Sequence, residues 1–524
     1  MKKSVSSRIA RRKQKNLKRL GNARRDRFAR GLQNQNVIGD VNIKYELADR
    51  NQAINHGGIG AMVKLVQHTG LVDEIDKRVN LLKCHAPYRE SDHVMALVIN
   101  ALAGGTRLEH LELLRNNPAM LDALGTDSIP DPTTAGDFCR RFDQVSIAAL
   151  LRSVDETRLA VWKQQDDAFF DEARIDADGV LVNTTGKCKE GMDINYEGDC
   201  GYHPLLVSLA NTKEIFSIVN RSGNAHSADG AAGYFDQAIM CCIKAGFRAV
   251  RIRGDCKFSQ TEYLDGWDQI GVKFNYGYQA SSNLQAIAED LPASAWKPLE
   301  RTIRQSIGPP REKRRNVKRE IIRLRGYTHL ELQSEDVAEF TYRPVACERD
   351  YRMVVVRKNI SKEKGEARLI DEIRYFFSIS NDPPSFSSAA VVFECNKRCD
   401  QKNLISQLSS GVRSLCAPVD NLESNWAYMV MTSIPWTLKS WSALLLPINN
   451  AHRRKHESER DQILKMEFRT FLDQFISIPC QILGKGGRVI YRLLGYRDLT
   501  PAFFRLCGRL NLSKPQHRTH TRST

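Results

Sequence analysis

Carboxylates at the ends of two strand-like segments are the residues of this chain whose types and spacing could do chemistry. Asp176 and Asp178 lie in one such segment, and Asp255 directly follows another, 249–253. If the two strands are neighbours, their carboxylates can share divalent metal ions, and Mg²⁺ prefers hard oxygen ligands of this kind. The spacing therefore favours a two-metal site. An Asp at a strand end is also a common turn former or helix cap, so a purely structural role stays open.

The choice between Asp176 and Asp178 is ambiguous from the pattern. Side chains two positions apart in a strand point to the same face, so both acids could reach one site. The glycine at position 179 favours Asp178, because a glycine permits a tight site beside it.

The elements that must position these acids form a mixed α/β pattern. From about position 168 the chain reads as three strands in succession, followed by helix, strand, helix and strand. This order predicts a mixed sheet flanked by helices rather than a doubly wound nucleotide-binding fold. No GxGxxG or GxxxxGK[ST] motif occurs, and the glycines at 484–487 read as a basic turn. The predicted strands are 173–183, 204–210, 215–220, 249–253 and 272–276, and the predicted helices are 228–245 and 260–270.

Composition and periodicity divide the whole chain into six predicted segments. Helical spacing of apolar residues over 36–165 fits a DNA-binding domain of helix-turn-helix type, with a basic patch at Arg140 and Arg141. A plain helical bundle would have the same pattern. The mixed core is predicted over 166–280 and 372–450, and a strand-rich insertion over 281–371 separates its two parts. The remaining segments are a basic arm over 1–35 and a helical region with a basic tail over 451–524.

The helices expected after position 384 are 387–410, 421–446 and 457–476. Pro435 lies inside the second of them, where a proline removes a backbone donor and tends to kink a helix. Trp426, Trp436 and Trp441 occupy the same helix, and we interpret them as core residues rather than platforms for base stacking.

Positive charge is concentrated at the N-terminus. The 524 residues carry a net charge of +17, yet residues 1–30 hold thirteen Lys/Arg against one acid, a net of +12. Each Lys or Arg placed on a phosphate releases condensed counterions, so the arm is predicted to bind nucleic acid. A solvated tail is the alternative interpretation. The predicted contacts are Arg11, Arg12, Lys13, Lys18 and Arg19.

Two classes of protein do not fit the sequence. No run of about 18 apolar residues occurs, so no membrane partner is expected. The chain has 13 cysteines without any CxxC pair, which is typical of a reduced intracellular protein. Cys395 and Cys399 lie one helical turn apart, but no second ligand pair accompanies them, so no metal role is predicted there.

Several ordered motifs resemble those of bacterial insertion-sequence transposases of the DDE class, most closely the thirteen-eighty group. The resemblance covers about 40–500. It rests on the runs at 175–179 (IDADG), 201–206 (GYHPLL), 224–230 (NAHSADG), 253–255 (RGD), 395–401 (CNKRCDQ), 418–421 (PVDN) and 466–469 (MEFR).

The resemblance implies a fold and a chemistry. The fold is an RNase H-like core with an insertion before the last catalytic helix, which agrees with the predicted strand order. Two Asp and one Glu hold two Mg²⁺ ions, for which Mn²⁺ can substitute, and DNA phosphates are attacked by water and then by a 3′-hydroxyl. Asp178 and Asp255 would be the first and second acids. The implied partners are the terminal inverted repeats and target DNA, bound by a synaptic homodimer in the bacterial cytoplasm, associated with the nucleoid.

The third acid is where this chain departs from the family. The family signature is Tyr-x2-Arg-x3-Glu on a helix, and Cys395, Arg398 and Lys402 occupy its three places. By resemblance Arg398 would clamp a DNA phosphate. A lysine for the glutamate replaces an attraction for metal by a repulsion, and unit charges ~4 Å apart interact by roughly 4 kcal/mol at an effective dielectric near 20. Asp400 and Glu394 could substitute only if the helix were rearranged.

Three hypotheses follow. The first is a DDE transposase impaired at its third acid. The second is a catalytically dead remnant that still binds element ends and represses transposition. The third is a nuclease on the same fold.

Overall fold

The computed structural model describes 52–300 and 330–512, except positions 185, 187, 188, 196, 332, 333, 360, 361, 364, 365, 368–372, 486 and 487. In the N-terminal arm it describes Gln14, Lys18 and Asn22, which are helical and exposed. The other predicted DNA contacts of the arm, Arg11, Arg12, Lys13 and Arg19, lie outside the described residues.

The segment predicted to be helical, 36–165, is helical through most of its described part. Capping sets several of the helix starts. Asp131 accepts a hydrogen bond from the Thr134 N–H at 2.9 Å, and Asp143 accepts one from the Ser146 N–H at 2.8 Å. Such caps satisfy N–H groups that the first turn of a helix leaves unpaired. After the short strand β1 (Gln52–Ile54) come α1 (Ile59–Thr69), α2 (Leu71–Arg78), α3 (Glu90–Leu102), α4 (Leu111–Arg115), α5 (Pro118–Leu124), α6 (Pro132–Cys139) and α7 (Gln144–Trp162).

The segment 166–280 forms the mixed sheet that the sequence predicts. Its elements are β2 (Glu172–Gly179), the short strands β3 (Val182–Asn183), β4 (Asp193–Ile194) and β5 (Cys200–Tyr202), then β6 (Leu205–Leu209), β7 (Glu214–Val219), α8 (Ala231–Ala245), β8 (Ala249–Gly254), α9 (Leu264–Gln269) and β9 (Lys273–Tyr278). β6 and β7 are antiparallel neighbours on one side of β2. β8 and β9 are parallel neighbours on its other side.

The first predicted strand, 173–183, is shorter in the structure. β2 ends at Gly179, because the Val180 N–H turns to donate to the Pro204 carbonyl at 3.0 Å. The small sheet β3–β5–β4 then separates β2 from β6 along the chain. At Gly179 a Cβ would lie 2.6 Å from His203 Nε2, so the close approach of this ring requires a glycine.

The predicted insertion, 281–371, is rich in strands, and its long strands extend the main sheet. β16 pairs with β9 on one side and with β13 on the other. Among the described residues, nine strands thus form one sheet in the order β10-β12-β13-β16-β9-β8-β2-β6-β7. The elements after β9 are α10 (Ser282–Glu289), β10 (Lys297–Pro298), β11 (Leu330–Glu331), β12 (Ser334–Tyr342), β13 (Tyr351–Asn359), β14 (Lys362–Glu363), β15 (Glu366–Ala367) and β16 (Ile373–Ser380).

The helix predicted over 387–410 is two helices, α11 (Ser388–Lys397) and α12 (Asp400–Ser406), followed by a π-helical turn. The next helix, α13 (Leu422–Leu444), continues through Pro435 and is buried from Ser424 to its end. Trp426, Trp436 and Trp441 are buried, and each indole N–H donates to a group on β7 or beside it. Their prediction as core residues is confirmed.

The C-terminal region contains strands that the sequence reasoning missed. The elements are α14 (Arg453–Lys465), α15 (Phe468–Phe471), β17 (Cys480–Lys485), β18 (Arg488–Leu493) and α16 (Thr500–Arg509). β17 and β18 form an antiparallel hairpin, and β1 pairs with β17. Of the turn expected at 484–487, Gly484 and Lys485 end β17, and the other two positions lie outside the described residues.

One hydrophobic cluster extends through the described chain. It includes residues of α1, of β2, of α13 and of α16, so the helical segment and the sheet share a core. Within the described residues, no helix combines the length and the apolar character needed to span a bilayer.

Candidate active site

The structure brings Asp178 and Asp255 to one cavity. β2 and β8 are parallel neighbours, and Asp176 is opposite Arg253 in their register. The carboxyl ends of the two strands therefore lie at the same edge of the sheet, and the acids there can face each other. The cavity has a volume of about 360 Å³, and both carboxylates line it.

The turn after β8 fixes Asp255. Its carboxylate accepts a hydrogen bond from the Lys257 N–H at 2.9 Å, which caps the short 3₁₀ turn Cys256–Phe258. Asp255 is thus a cap as well as a cavity residue, and the two roles that the sequence left open coexist. A rigid turn holds the carboxylate at the cavity without the conformational freedom of a loop.

Burial and the charged groups around Asp178 change the pKa of its carboxyl group. Burial, together with the nearby carboxylate of Asp255, raises the pKa of Asp178 to about 6. The positive charges of Arg398 and Lys402 act in the opposite direction. All three predicted site positions beyond Asp178 are therefore close enough to influence its ionisation.

Asp176 belongs to a different, buried network. Arg253 donates to both of its carboxylate oxygens, at 2.6 and 2.8 Å, and also to Glu394 at 2.6 Å. Burial disfavours the charge of Arg253, but the carboxylates of Asp176 and Glu394 outweigh it and raise the pKa of the guanidinium. Because Asp176 and Glu394 are engaged with Arg253, Asp178 remains the acid of β2 that faces the cavity.

The third predicted position lies where α11 meets α12. Cys395 is buried in a small apolar cluster, and burial raises the pKa of its thiol to about 11. Arg398 is half-buried, and Lys402 is exposed and lines the cavity. A lysine therefore does stand beside Asp178 and Asp255, where the resemblance places a glutamate.

The prediction of a single helix over 387–410 is wrong. Hydrogen bonds at the junction between α11 and α12 explain why the helix is interrupted. The N–H groups of Cys399, Gln401 and Lys402 each donate to the carbonyl three residues earlier, which tightens the turn. Gln401 then anchors α12 to β6, since it accepts a hydrogen bond from Ser208 Oγ at 2.5 Å and donates to the Leu206 carbonyl at 3.2 Å. Asp400 points elsewhere and pairs with Lys213 at 3.0 Å.

His203 and Lys257 line the same cavity and were not predicted as site residues. His203 Nδ1 lies 2.7 Å from the Ala225 carbonyl, which identifies Nδ1 as the donor. Burial lowers the pKa of this ring, so it is neutral at pH 7. The motif at 201–206 contains this histidine, but a sequence gives no sign that it folds back onto Gly179.

One residue of the basic patch predicted on the helical segment, Arg140, is paired with carboxylates of the protein. The guanidinium of Arg140 pairs with Asp137 at 2.8 Å and with Asp420, just before α13, at 2.9 Å. The pair with Asp420 joins the helical segment to the loop that leads into α13. Arg140 is therefore paired with two carboxylates, while 42% of its side chain stays exposed.

A comparison with protein families identifies the chain. A family model described as "Transposase DDE domain group 1" matches residues 46–498. The chain belongs to the DDE transposase family. Among solved structures, it is similar to the piggyBac transposase in its synaptic complex with hairpin DNA, with a TM-score of 0.33 and 11% identity over 81% of this chain and 84% of that chain. That likeness is too distant to assign residues. No curated protein matches the chain.

The cavity of this transposase fits a divalent metal ion only in part. Two carboxylates face the cavity, and the like-charge contact that raises the pKa of Asp178 would be relieved by a cation between them. However, no group of three or more His, Cys, Asp or Glu side chains suited to a metal occurs among the described residues. The described lining thus supplies two of the three carboxylates that the resemblance implies.

Proposed function

We propose that this transposase belongs to a bacterial insertion sequence of the thirteen-eighty group, binds the terminal inverted repeats of its element, and uses Mg²⁺ in DNA cleavage and strand transfer. The observation that carries the proposal is the meeting of Asp178 and Asp255 at one cavity, at the ends of parallel neighbouring strands. The central strand order β7-β6-β2-β8-β9 supports the RNase H-like core that the resemblance implies.

The residues at the cavity have separate tasks in this proposal. Asp178 and Asp255 would hold the metal ion, which supplies activation of the attacking oxygen and stabilisation of charge on the phosphate. With a pKa of about 6, Asp178 is mostly ionised at neutral pH, as a metal ligand must be. Arg398 would bind a phosphate oxygen of the DNA through its guanidinium.

Lys402 makes the proposed enzyme a weak one. It lines the cavity that holds both acids, so its ammonium repels the cation that they would bind. The same observation favours a second candidate function, a catalytically inactive protein that occupies element ends and represses an active copy. Both candidates bind the same DNA, and they differ only in whether the bound DNA is cut.

Substitution of Lys402 tests the proposal. Lys402→Glu restores a third carboxylate at the cavity, and we expect it to raise the rate of Mg²⁺-dependent cleavage of end-containing DNA by about tenfold or more, since ~1.4 kcal/mol in the barrier is a factor of ten. Lys402→Gln is the matched control. It removes the repulsion without adding a ligand, so its rate should lie between those of the wild type and Lys402→Glu.

Binding measurements on the same proteins separate the two candidates. Salt-dependent, sequence-specific binding of end DNA with no cleavage by the wild type or by Lys402→Glu supports the repressor. Robust cleavage by the wild type, unchanged in Lys402→Glu, contradicts the assignment of position 402 as the third acid.

A further inference from the structure

The hairpin β17–β18 presents a face that the catalytic proposal does not use. Arg488, Ile490 and Arg492 alternate along β18 with residues of the opposite face, so the three share one side of the sheet. All three are exposed. On the opposite face Tyr491 lies against Gly60 of α1 and donates to the Ala123 carbonyl at 2.6 Å. The outward face is therefore held in position by the helices behind it.

This face combines arginines with exposed aliphatic side chains. Ile490 on this face is 41% exposed, and Leu494, which follows the strand, is 54% exposed. β18 is also an edge strand of its sheet within the described residues. An exposed apolar edge strand favours pairing with another chain unless charged residues or a bound partner prevent this pairing.

The charge of the chain around β18 determines which kind of partner can bind this exposed edge. Between Asp473 and Asp498 the chain has no acidic residue, while it has Lys485, Arg488, Arg492 and Arg497. Two copies of such an edge would repel each other, so pairing with a second copy is disfavoured. A polyanion is attracted to the same surface.

The continuously described part of the chain begins in the same sheet. β1 begins at Gln52 and pairs with β17 in the register Gln52 with Ile482. The arm whose first thirty residues have a net charge of +12 therefore precedes the strand next to this hairpin.

We propose that the β17–β18 hairpin is a DNA-binding surface outside the catalytic cavity, and that Arg488 and Arg492 contact the phosphates of duplex DNA. The proposal rests on the proposed function for the identity of the polyanion. Arg488 and Arg492 lie on one exposed face of an edge strand, so both can reach the sugar-phosphate backbone of a duplex that lies against this face. The aliphatic side chains would be covered by the bound duplex.

The test is a titration of a short labelled duplex with the full-length chain, followed by fluorescence anisotropy at salt concentrations from about 50 to 200 mM. The double variant Arg488→Glu/Arg492→Glu should bind about tenfold or more weakly, because two phosphate contacts are lost and repulsion is added. The slope of log affinity against log salt should fall by roughly two.

The matched control is Lys244→Glu/Lys297→Glu, which makes the same charge change at two exposed lysines outside the helical segment, the cavity and the hairpin. Its binding should fall by much less. If the control loses as much affinity as the hairpin variant, or if the hairpin variant binds like the wild type, the proposal is wrong. Arg488→Gln/Arg492→Gln replaces the Glu variant if that variant does not fold, and it should reduce the salt slope as well.

Two more measurements distinguish a DNA-binding hairpin from a dimer edge and from the catalytic site. Sedimentation of the same variants reports self-association, and a loss of dimer with unchanged DNA affinity would assign the edge to a second copy and overturn the proposal. The cleavage assay with Lys402→Glu is independent of it. If that assay shows no cleavage while the hairpin variant still loses DNA affinity, the proposed chemistry fails and the DNA-binding hairpin stands.

Discussion

At the residue scale, two aspartates on one strand face illustrate how environment assigns roles. Asp176 is 1% exposed and makes a bidentate pair with Arg253, whereas Asp178 lines the cavity beside Asp255. The first acid makes a bidentate pair with a buried cation, and its loss leaves that cation with Glu394 alone. The second is buried near another acid, which is a cost that folding tolerates because the site needs both.

This contrast predicts opposite effects on stability. Asp176→Asn should destabilise the protein by about 3–5 kcal/mol, because removing one partner of a buried ion pair is strongly destabilising and Glu394 alone then balances Arg253. Asp178→Asn should leave the midpoint of thermal unfolding unchanged or higher at pH 7.5, since it removes the repulsion from Asp255. Equal destabilisation by both substitutions would contradict the separate roles.

The pH dependence of the second effect has a definite sign. The pKa of Asp178 is about 6 in the folded protein and 3.8 as its reference value, so the folded state disfavours the ionised form. The destabilisation is absent below about pH 4, develops as the pH rises toward 6, and is complete above it. The advantage of Asp178→Asn over the wild type should therefore be largest above pH 6 and vanish near pH 4.

At the element scale, a single lysine connects two helices. Lys439 lies on α13, and its side chain contacts the end of α14. Lys439 is fully buried, and its Nζ donates to the carbonyls of Ile463, Leu464 and Met466 at 2.8–3.1 Å. These are carbonyls at the end of a helix, which no later turn can satisfy. Burial lowers the pKa of Lys439 to about 7.

Removing this connection should be costly. Lys439→Ala leaves three carbonyls without their donor and creates a cavity, so we expect a loss of about 3 kcal/mol or more in unfolding free energy. The control is Lys465→Ala, at the end of α14. The side chain of Lys465 is 68% exposed and pairs with Asp461. A comparable loss in the control would show that the position of the lysine in the core is unimportant.

The elements that sequence reasoning found and missed differ in how local their causes are. β2, β8 and α8 were predicted because the hydrophobic periodicity within each element, and turn residues within a few positions of it, indicate its type. The break between α11 and α12 was missed, since Gln401 is anchored by Ser208 and Leu206 on a distant strand. β17 and β18 were missed because the period-two alternation was outweighed by an expectation of helices around it.

At the scale of the whole molecule, distant segments meet at single buried groups. Glu214 on β7 accepts hydrogen bonds from Trp162 of α7 at 2.9 Å and from Trp441 of α13 at 2.8 Å. Arg158 of α7 also pairs with it, at 3.3 Å. Such contacts join the helical segment, the sheet and α13, and no local pattern predicts them because their partners are far apart in sequence. The candidate acids were predictable, but their companions His203 and Lys257 were not.

The uneven charge of the whole chain makes a prediction about the arm. Deleting residues 1–30 removes a net charge of +12. Binding should therefore weaken to a similar extent for end DNA and for unrelated DNA, and the salt dependence should flatten. Gel-shift titrations with both DNAs at two salt concentrations measure this. If the deletion abolished only the preference for element ends, the arm would be a reader of bases instead.

The pairing of β1 with β17 has a consequence for how the protein is made. β1 leaves the ribosome early, but its partner strand is synthesised only when almost the whole chain has been translated. The small sheet of β1, β17 and β18 cannot assemble before then. A product of interrupted translation would carry the basic arm but neither β17 nor the arginines of β18, so the two basic segments become available to nucleic acid at different times.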